Sequence, residues 1–128
     1  MAGIITNTGV LAMYKDNKGY QYEEIAKRYL LKNNYKILEQ NFTSKFGEID
    51  IIALKDGIIS FIEVKGRKNI KYGLPREAVT ISKQKKIISC AKFFLLQRKY
   101  SDIQCQFDVI EIILDDKVIE HIEDAFCT

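Results

Sequence analysis

Asp56-Gly57 lies between two strongly apolar runs, and no other feature restricts the possible folds of this chain as much. The pair favours a two-residue type I′ hairpin turn, because both central positions need positive φ and these two residues tolerate it. With that turn, Lys55 faces Ile58, and counting outward sets Asp50 opposite Glu63 and Glu48 opposite Lys65. Directly opposed residues point to one face, with Cβ atoms about 4.5 to 5.5 Å apart. Alternation then gathers Glu48, Asp50, Glu63 and Lys65 on one face with Ile52, Leu54, Ile59 and Phe61, and leaves Ile49, Ile51, Ala53, Ile62 and Val64 on the other. Both faces are mostly apolar, so the hairpin is expected to be interior, with a polar cluster confined to its far end.

Two buried carboxylates at one spot repel and lose hydration, so a proton, a cation or a hydrogen-bond network must neutralise them. Mg²⁺ suits the pattern: it binds through one or two carboxylates, keeps several waters and meets phosphate oxygens. Lys65 could position or deprotonate an attacking water and steady charge on a phosphate. On the residues alone a second reading stays open, a salt-bridge network in which Lys65 pairs with Glu48 or Glu63 and no metal binds.

Around the hairpin, Tyr22, Ile25, Ala26, Tyr29 and Leu30 recur at helical spacing and predict an amphipathic helix over residues 20 to 32, stopped by Asn33 and Asn34. A strand is predicted over 35 to 42. After a basic loop containing Pro75, a helix is expected from about Ser82 to Tyr100, burying Ile87, Ile88, Ala91, Phe94 and Leu95. Strands follow at 103 to 114 and 118 to 122, separated by Asp115 and Asp116. Residues 1–18 show no sustained period and read as an N-terminal arm or a short extra element. The order of helix, three strands, helix and two strands predicts an α/β fold, a mixed sheet flanked by helices.

At 128 residues the chain suits one core. Twenty basic residues against 17 acidic ones give a net charge of only +3, too little to imply a polyanion partner. The distribution says more, since Lys65, Arg67, Lys68, Lys71, Arg76, Lys83, Lys85 and Lys86 crowd one segment and form a footprint suited to phosphate backbones. Cys90, Cys105 and Cys127 are widely spaced and read as reduced packing residues. The apolar stretch 10 to 14 has no basic leader and is far too short for a span, so a cytoplasmic location without membrane association is expected. His121 reads as a strand or surface residue, and Tyr72 and Tyr100 as packing residues before base-stacking ones.

With Gly47-Glu48-Ile49-Asp50, Glu63-Val64-Lys65 and Arg67, the sequence resembles the PD-(D/E)xK nuclease superfamily, whose core is restriction-endonuclease-like. More closely it resembles the YraN-like family of predicted endonucleases related to archaeal Holliday junction resolvases. The likeness runs over nearly all of the chain after residue 18 and includes Glu23, Ala26, Tyr29, Leu30, Asn41, Gly73, Lys83, Phe107-Asp108 and Ala125-Phe126. Tyr22 departs from it, standing where that family usually has Gly, and the arm has no clear counterpart.

The resemblance implies that residues 19–128 form a single nuclease-like domain in which Asp50 and Glu63 bind Mg²⁺ or Mn²⁺ and Lys65 assists catalysis. It also implies that Glu23 reaches the metal shell from the first helix, and Lys83 and Arg67 are expected at the nucleic-acid backbone. The expected activity is endonucleolytic hydrolysis of DNA, with branched or structured DNA as the substrate class. Symmetric junction cutting needs two active sites, which makes a homodimer the expected assembly. The competing expectations are a nucleic-acid-binding module that keeps the fold without cleaving, and an interaction protein whose carboxylates are structural.

Overall fold

Asp56 and Gly57 adopt φ of +51° and +78°, the two positive values that a type I′ turn requires. The computed structural model describes the backbone of residues 2–6 and all atoms of residues 22–69 and 79–127. Along the chain come β1 (Ala2–Thr6), α1 (Tyr22–Lys32), β2 (Lys36–Ser44), β3 (Gly47–Lys55), β4 (Ile58–Arg67), α2 (Ile81–Gln97), β5 (Gln104–Ile113) and β6 (Val118–Phe126). They build one mixed sheet in the order β1-β6-β5-β4-β3-β2, consistent with a restriction-endonuclease-like α/β fold. Only β4 and β5 run parallel, and α2 supplies the crossover that a parallel pair needs.

Strand alternation sorts the core into two layers. Ile51, Ala53, Ile62, Ile110, Ile112 and Ile119 pack against Ile25, Ala26, Tyr29 and Leu30 of α1. Ile52, Ile59, Phe61 and Phe107 pack on the other face against Ile87, Cys90, Ala91 and Phe94 of α2. Each helix therefore buries one stripe, and the sheet is covered on both sides.

The caps explain where the helices end. Glu23 and Glu24 sit in the first turn of α1 and Lys32 in its last, all complementing the helix dipole. Asn34 then takes φ +69°, while Tyr35 N–H donates to Leu30 O and Asn34 N–H to Leu31 O, a Schellman end. The α2 helix begins one residue earlier than expected because Thr80 Oγ1 accepts from the Lys83 N–H at 3.1 Å. It stops at Gln97, short of Tyr100, through a second Schellman end with Lys99 at φ +59°. No glycine marks that stop in the sequence; the stacking of Tyr100 on Phe94 holds it.

Two elements exceed the sequence expectation. Ala2–Thr6, in the segment read as an arm or a short extra element, forms a strand that pairs antiparallel with β6 from Ala2↔Ile122 to Thr6↔Val118. The β6 strand continues to Phe126, beyond residue 122, because β5 pairs with it as far as Phe107↔Phe126 and the Phe126 ring stacks on Phe107 at 5.1 Å. Lys71, Tyr72, Gly73, Pro75 and Arg76 lie outside the described residues, as do Tyr20 and the rest of the arm.

Two contacts set α1 against the sheet. A Cβ added at Gly66 would lie 2.0 Å from Tyr22 Cγ, so the first ring of α1 rests directly on the β4 backbone between Lys65 and Arg67. Two turns on, the buried Tyr29 hydroxyl lies 2.9 Å from His121 Nδ1, and His121 Nε2 lies 2.8 Å from Asp108 Oδ2. Burial pushes the Tyr29 phenol up to about 12, so it stays protonated beside Nδ1, while Nε2 is hydrogen-bonded to the Asp108 carboxylate. Asp108 Oδ1 accepts from the Asp124 N–H, which completes a buried clasp joining α1, β5 and β6.

Gly66→Ala is expected to lower stability by about 1 to 3 kcal/mol through overpacking against Tyr22, and Tyr22→Ala should recover part of that loss in the double variant. Denaturant unfolding of the four proteins measures the coupling; additive losses would contradict it. His121→Phe strands a buried carboxylate and phenol and should cost about 3 kcal/mol in the same assay.

Candidate active site

The regular hairpin ends where the candidate residues begin. Its ladder follows the register counted from the turn from Lys55↔Ile58 to Ile51↔Ile62. Beyond that, the Val64 N–H, which a continued ladder would send to the Ile49 carbonyl, donates to Asp50 Oδ2 at 2.8 Å. Alternation from Ile51 would also set Ile49 on the α1 face, yet Ile49 and its β2 partner Phe42 pack against α2. The reversal centres on Asp50 and on Asn41 across from it, which adopts φ +50°, a conformation that Asn tolerates. Two sequence expectations are corrected here. Ile49 does not share a face with Ile51 and Ala53, and Glu48 lies opposite Thr43 of β2 rather than Lys65.

Where β3 and β4 part, carboxylates from three elements meet. Asp50 is hydrogen-bonded to Glu63 and feels the charge of Glu23. Burial, with the charge and hydrogen bond of Glu63 added, pushes the Asp50 carboxyl up to about 7, against the opposing pull of the Val64 N–H. Glu23, projecting from the first turn of α1, is raised by burial and by Glu48 and Glu63, while a hydrogen bond with Asn41 lowers it. The sequence-derived trio of Glu23, Asp50 and Glu63 is thus brought together, with Glu48 at its exposed edge. Asn41 was missed as a site residue; in the mixed polar and apolar run Lys36–Ser44 only its tolerance of positive φ sets it apart.

The cations divide differently from the expected pattern. Lys83, in the first turn of α2, contacts Glu63 Oε2 with its Nζ. Lys65 is half-buried and forms no ion pair among the described residues, so the network in which it pairs with Glu48 or Glu63 is not the one formed. Its neighbour in the parallel ladder is Glu111, and Glu111 Oε2 lies 3.6 Å from Arg67 Nη2. Lys85 and Lys86 are exposed on α2 beside Lys83.

The donor set suits a hard divalent cation. Two carboxyls that share a hydrogen bond, with a third nearby and an ammonium against one of them, form a site whose negative charge already recruits protons and cations. A second group, Asp108, His121 and Glu123, brings ligand-type atoms within 4.8 Å of one another. There both imidazole nitrogens and both Asp108 oxygens are engaged within the clasp, so its hydrogen bonding is complete without an ion. Sequence distance had hidden the partners of His121, which come from β5 and α1. Among the described residues no helix is long and apolar enough to cross a membrane.

Comparison with known proteins places the chain in a family. A family model described as "Uncharacterised protein family UPF0102" matches residues 22–112. A UPF0102 protein of Clostridium botulinum (strain Alaska E43 / Type E3) is 47% identical over 123 residues, covering 91% of this chain and 100% of the relative. A UPF0102 protein of Clostridioides difficile (strain 630) is 46% identical over 114 residues, covering 89% of this chain and 100% of the relative. One from Caldanaerobacter subterraneus subsp. tengcongensis is 43% identical over 122 residues, with 89% and 100% covered. With the matching segment running from the Tyr22 that rests on Gly66 to the Ile112 of β5, the chain belongs to the UPF0102 family, the YraN-like family that its motifs resemble.

Proposed function

We propose that this protein is a divalent-metal-dependent endonuclease that hydrolyses phosphodiester bonds in DNA, with branched or structured DNA as its substrate class. The observation that carries this reading is the meeting of Asp50 and Glu63 at the opening between β3 and β4, beside a lysine without an ion-pair partner among the described residues. Asp50 and Glu63 would hold Mg²⁺ or Mn²⁺, with Glu23 reaching the same shell. Bound there, the cation supplies positive charge against phosphate oxygens and acidifies water.

The chain's own residues do the rest. The Val64 N–H fixes one Asp50 oxygen and so aims the carboxyl into the opening. Lys65 positions the attacking water and offsets negative charge as one P–O bond forms and another breaks. Arg67, steadied by Glu111, and Lys83 at the start of α2 contact the phosphate backbone. Two copies would cut a symmetric junction, which favours a homodimer as the working assembly.

The test is cleavage of linear, nicked, flapped and four-way DNA, and of RNA, with Mg²⁺ or Mn²⁺. Asp50→Ala and Lys65→Ala are each expected to lower the rate at least about 10²-fold. Equal rates for wild type and variants would overturn the reading. Salt-dependent binding without metal-dependent turnover would support the non-cleaving binding module in its place.

The carboxyl pair also has a stability signature independent of turnover. Folding raises Asp50 from an ordinary 3.8 to about 7, so between those values the folded protein holds more protons than the unfolded chain. Metal-free stability therefore falls as pH rises through that window. Asp50→Asn keeps an acceptor for the Val64 N–H and cannot ionise. Its thermal midpoint should exceed that of wild type by a few degrees near pH 8, and the gap should close towards pH 4. Adding Mg²⁺ near pH 8 should raise the wild-type midpoint and leave that of Asp50→Asn nearly unmoved.

A further inference from the structure

We infer that Lys83 is a built-in competitor for the cation at Glu63, so that a divalent ion binds this site only by displacing the lysine's ammonium. The inference rests on the proposed cation site and assigns a control to it. Glu63 is 6% exposed and belongs to the central strand β4, whereas the Lys83 side chain is 50% exposed and projects from the edge of α2. The acid is the fixed partner of the pair, and the lysine is the one that can leave.

Its backbone does not have to move for this. The Thr80 cap holds the Lys83 N–H at 3.1 Å, and Ile87, one turn on, is buried in the core. Four flexible methylenes separate that anchored backbone from Nζ, so the head group can turn into solvent with the helix in place.

Charge makes the two occupants exclusive. Glu63 Oε2 is the oxygen that Lys83 contacts, and Asp50 and Glu23 add negative charge around Glu63. A cation taking Glu63 would bring its charge against the ammonium in a partly buried setting, where repulsion is only weakly screened. The lysine therefore weakens metal binding when it is present, and metal binding weakens the lysine's hold by the same factor. Lys85 is exposed on the same turn of α2 and carries the same charge, but among the described residues it forms no ion pair with Glu63 and so serves as the control.

Mn²⁺ affinity of the full chain, measured by electron paramagnetic resonance without nucleic acid, tests this. Lys83→Met is expected to bind Mn²⁺ about tenfold more tightly than wild type. Lys85→Met, which removes equal charge, should change the affinity by no more than about twofold, and Lys83→Arg, which keeps a competitor, should stay near wild type. Lys83→Gln serves as a second neutral variant if Lys83→Met fails to fold. Wild-type binding with no tightening in the neutral variants, or equal tightening in Lys85→Met, overturns the inference and leaves the cation site standing. Absence of Mn²⁺ binding in all the proteins overturns the cation-site reading itself, and this inference with it.

Discussion

A single hydrogen bond decides how the centre of this sheet is shaped: Asp50 accepts the Val64 N–H that the β3–β4 ladder would otherwise use. A side chain substitutes for a main-chain acceptor, so no buried donor is lost while the strands part. The parting opens the sheet at its middle and reverses the alternation of β3 at Asp50. Glu63, on the α2 face, can then meet Glu23 from the α1 side, which an unbroken sheet would keep apart. The cost is an anionic pocket in a partly buried place, visible in the raised Asp50 carboxyl.

The helices serve that opening from both faces. At its N-terminus α1 brings Glu23, and the adjoining Tyr22 ring rests on the one β4 residue without a side chain, Gly66. Further along, the Tyr29–His121–Asp108 clasp locks the same helix to β5 and β6. On the opposite face α2 begins at Thr80, and that cap fixes the backbone from which Lys83 reaches Glu63. Carboxylates that repel one another are thus held by packing and hydrogen bonds made elsewhere, as expected where function competes with stability.

The UPF0102 relatives from Clostridium botulinum, Clostridioides difficile and Caldanaerobacter subterraneus match this chain along their whole length. What argues for chemistry is the site: the half-buried Asp50 sharing a hydrogen bond with the buried Glu63, a lysine outside any ion pair of the described residues, and exposed lysines at the start of α2.

The hairpin was legible from Asp56-Gly57 because turn geometry is local, and the register followed as far as Ile51↔Ile62. The two helices and most of their buried stripes were legible from periodicity for the same reason, although on α2 Ile88 and Leu95 are only partly buried and Cys90 takes a place in the core. Counting from the turn also brought Asp50 near Glu63, but for an incomplete reason. Continued pairing would have set them side by side, whereas the structure parts the strands and joins the carboxyls through a hydrogen bond between their side chains. The place of β1, the length of β6, the partners of His121 and the pairing of Lys83 with Glu63 depended on contacts between residues far apart in the chain. No pattern in a single segment encodes such contacts, since each exists only once packing has brought two elements together. The sequence by itself determined which residues turn, alternate and carry charge; tertiary structure alone decided which charges face one another, because only the folded sheet sets the distances through which they act.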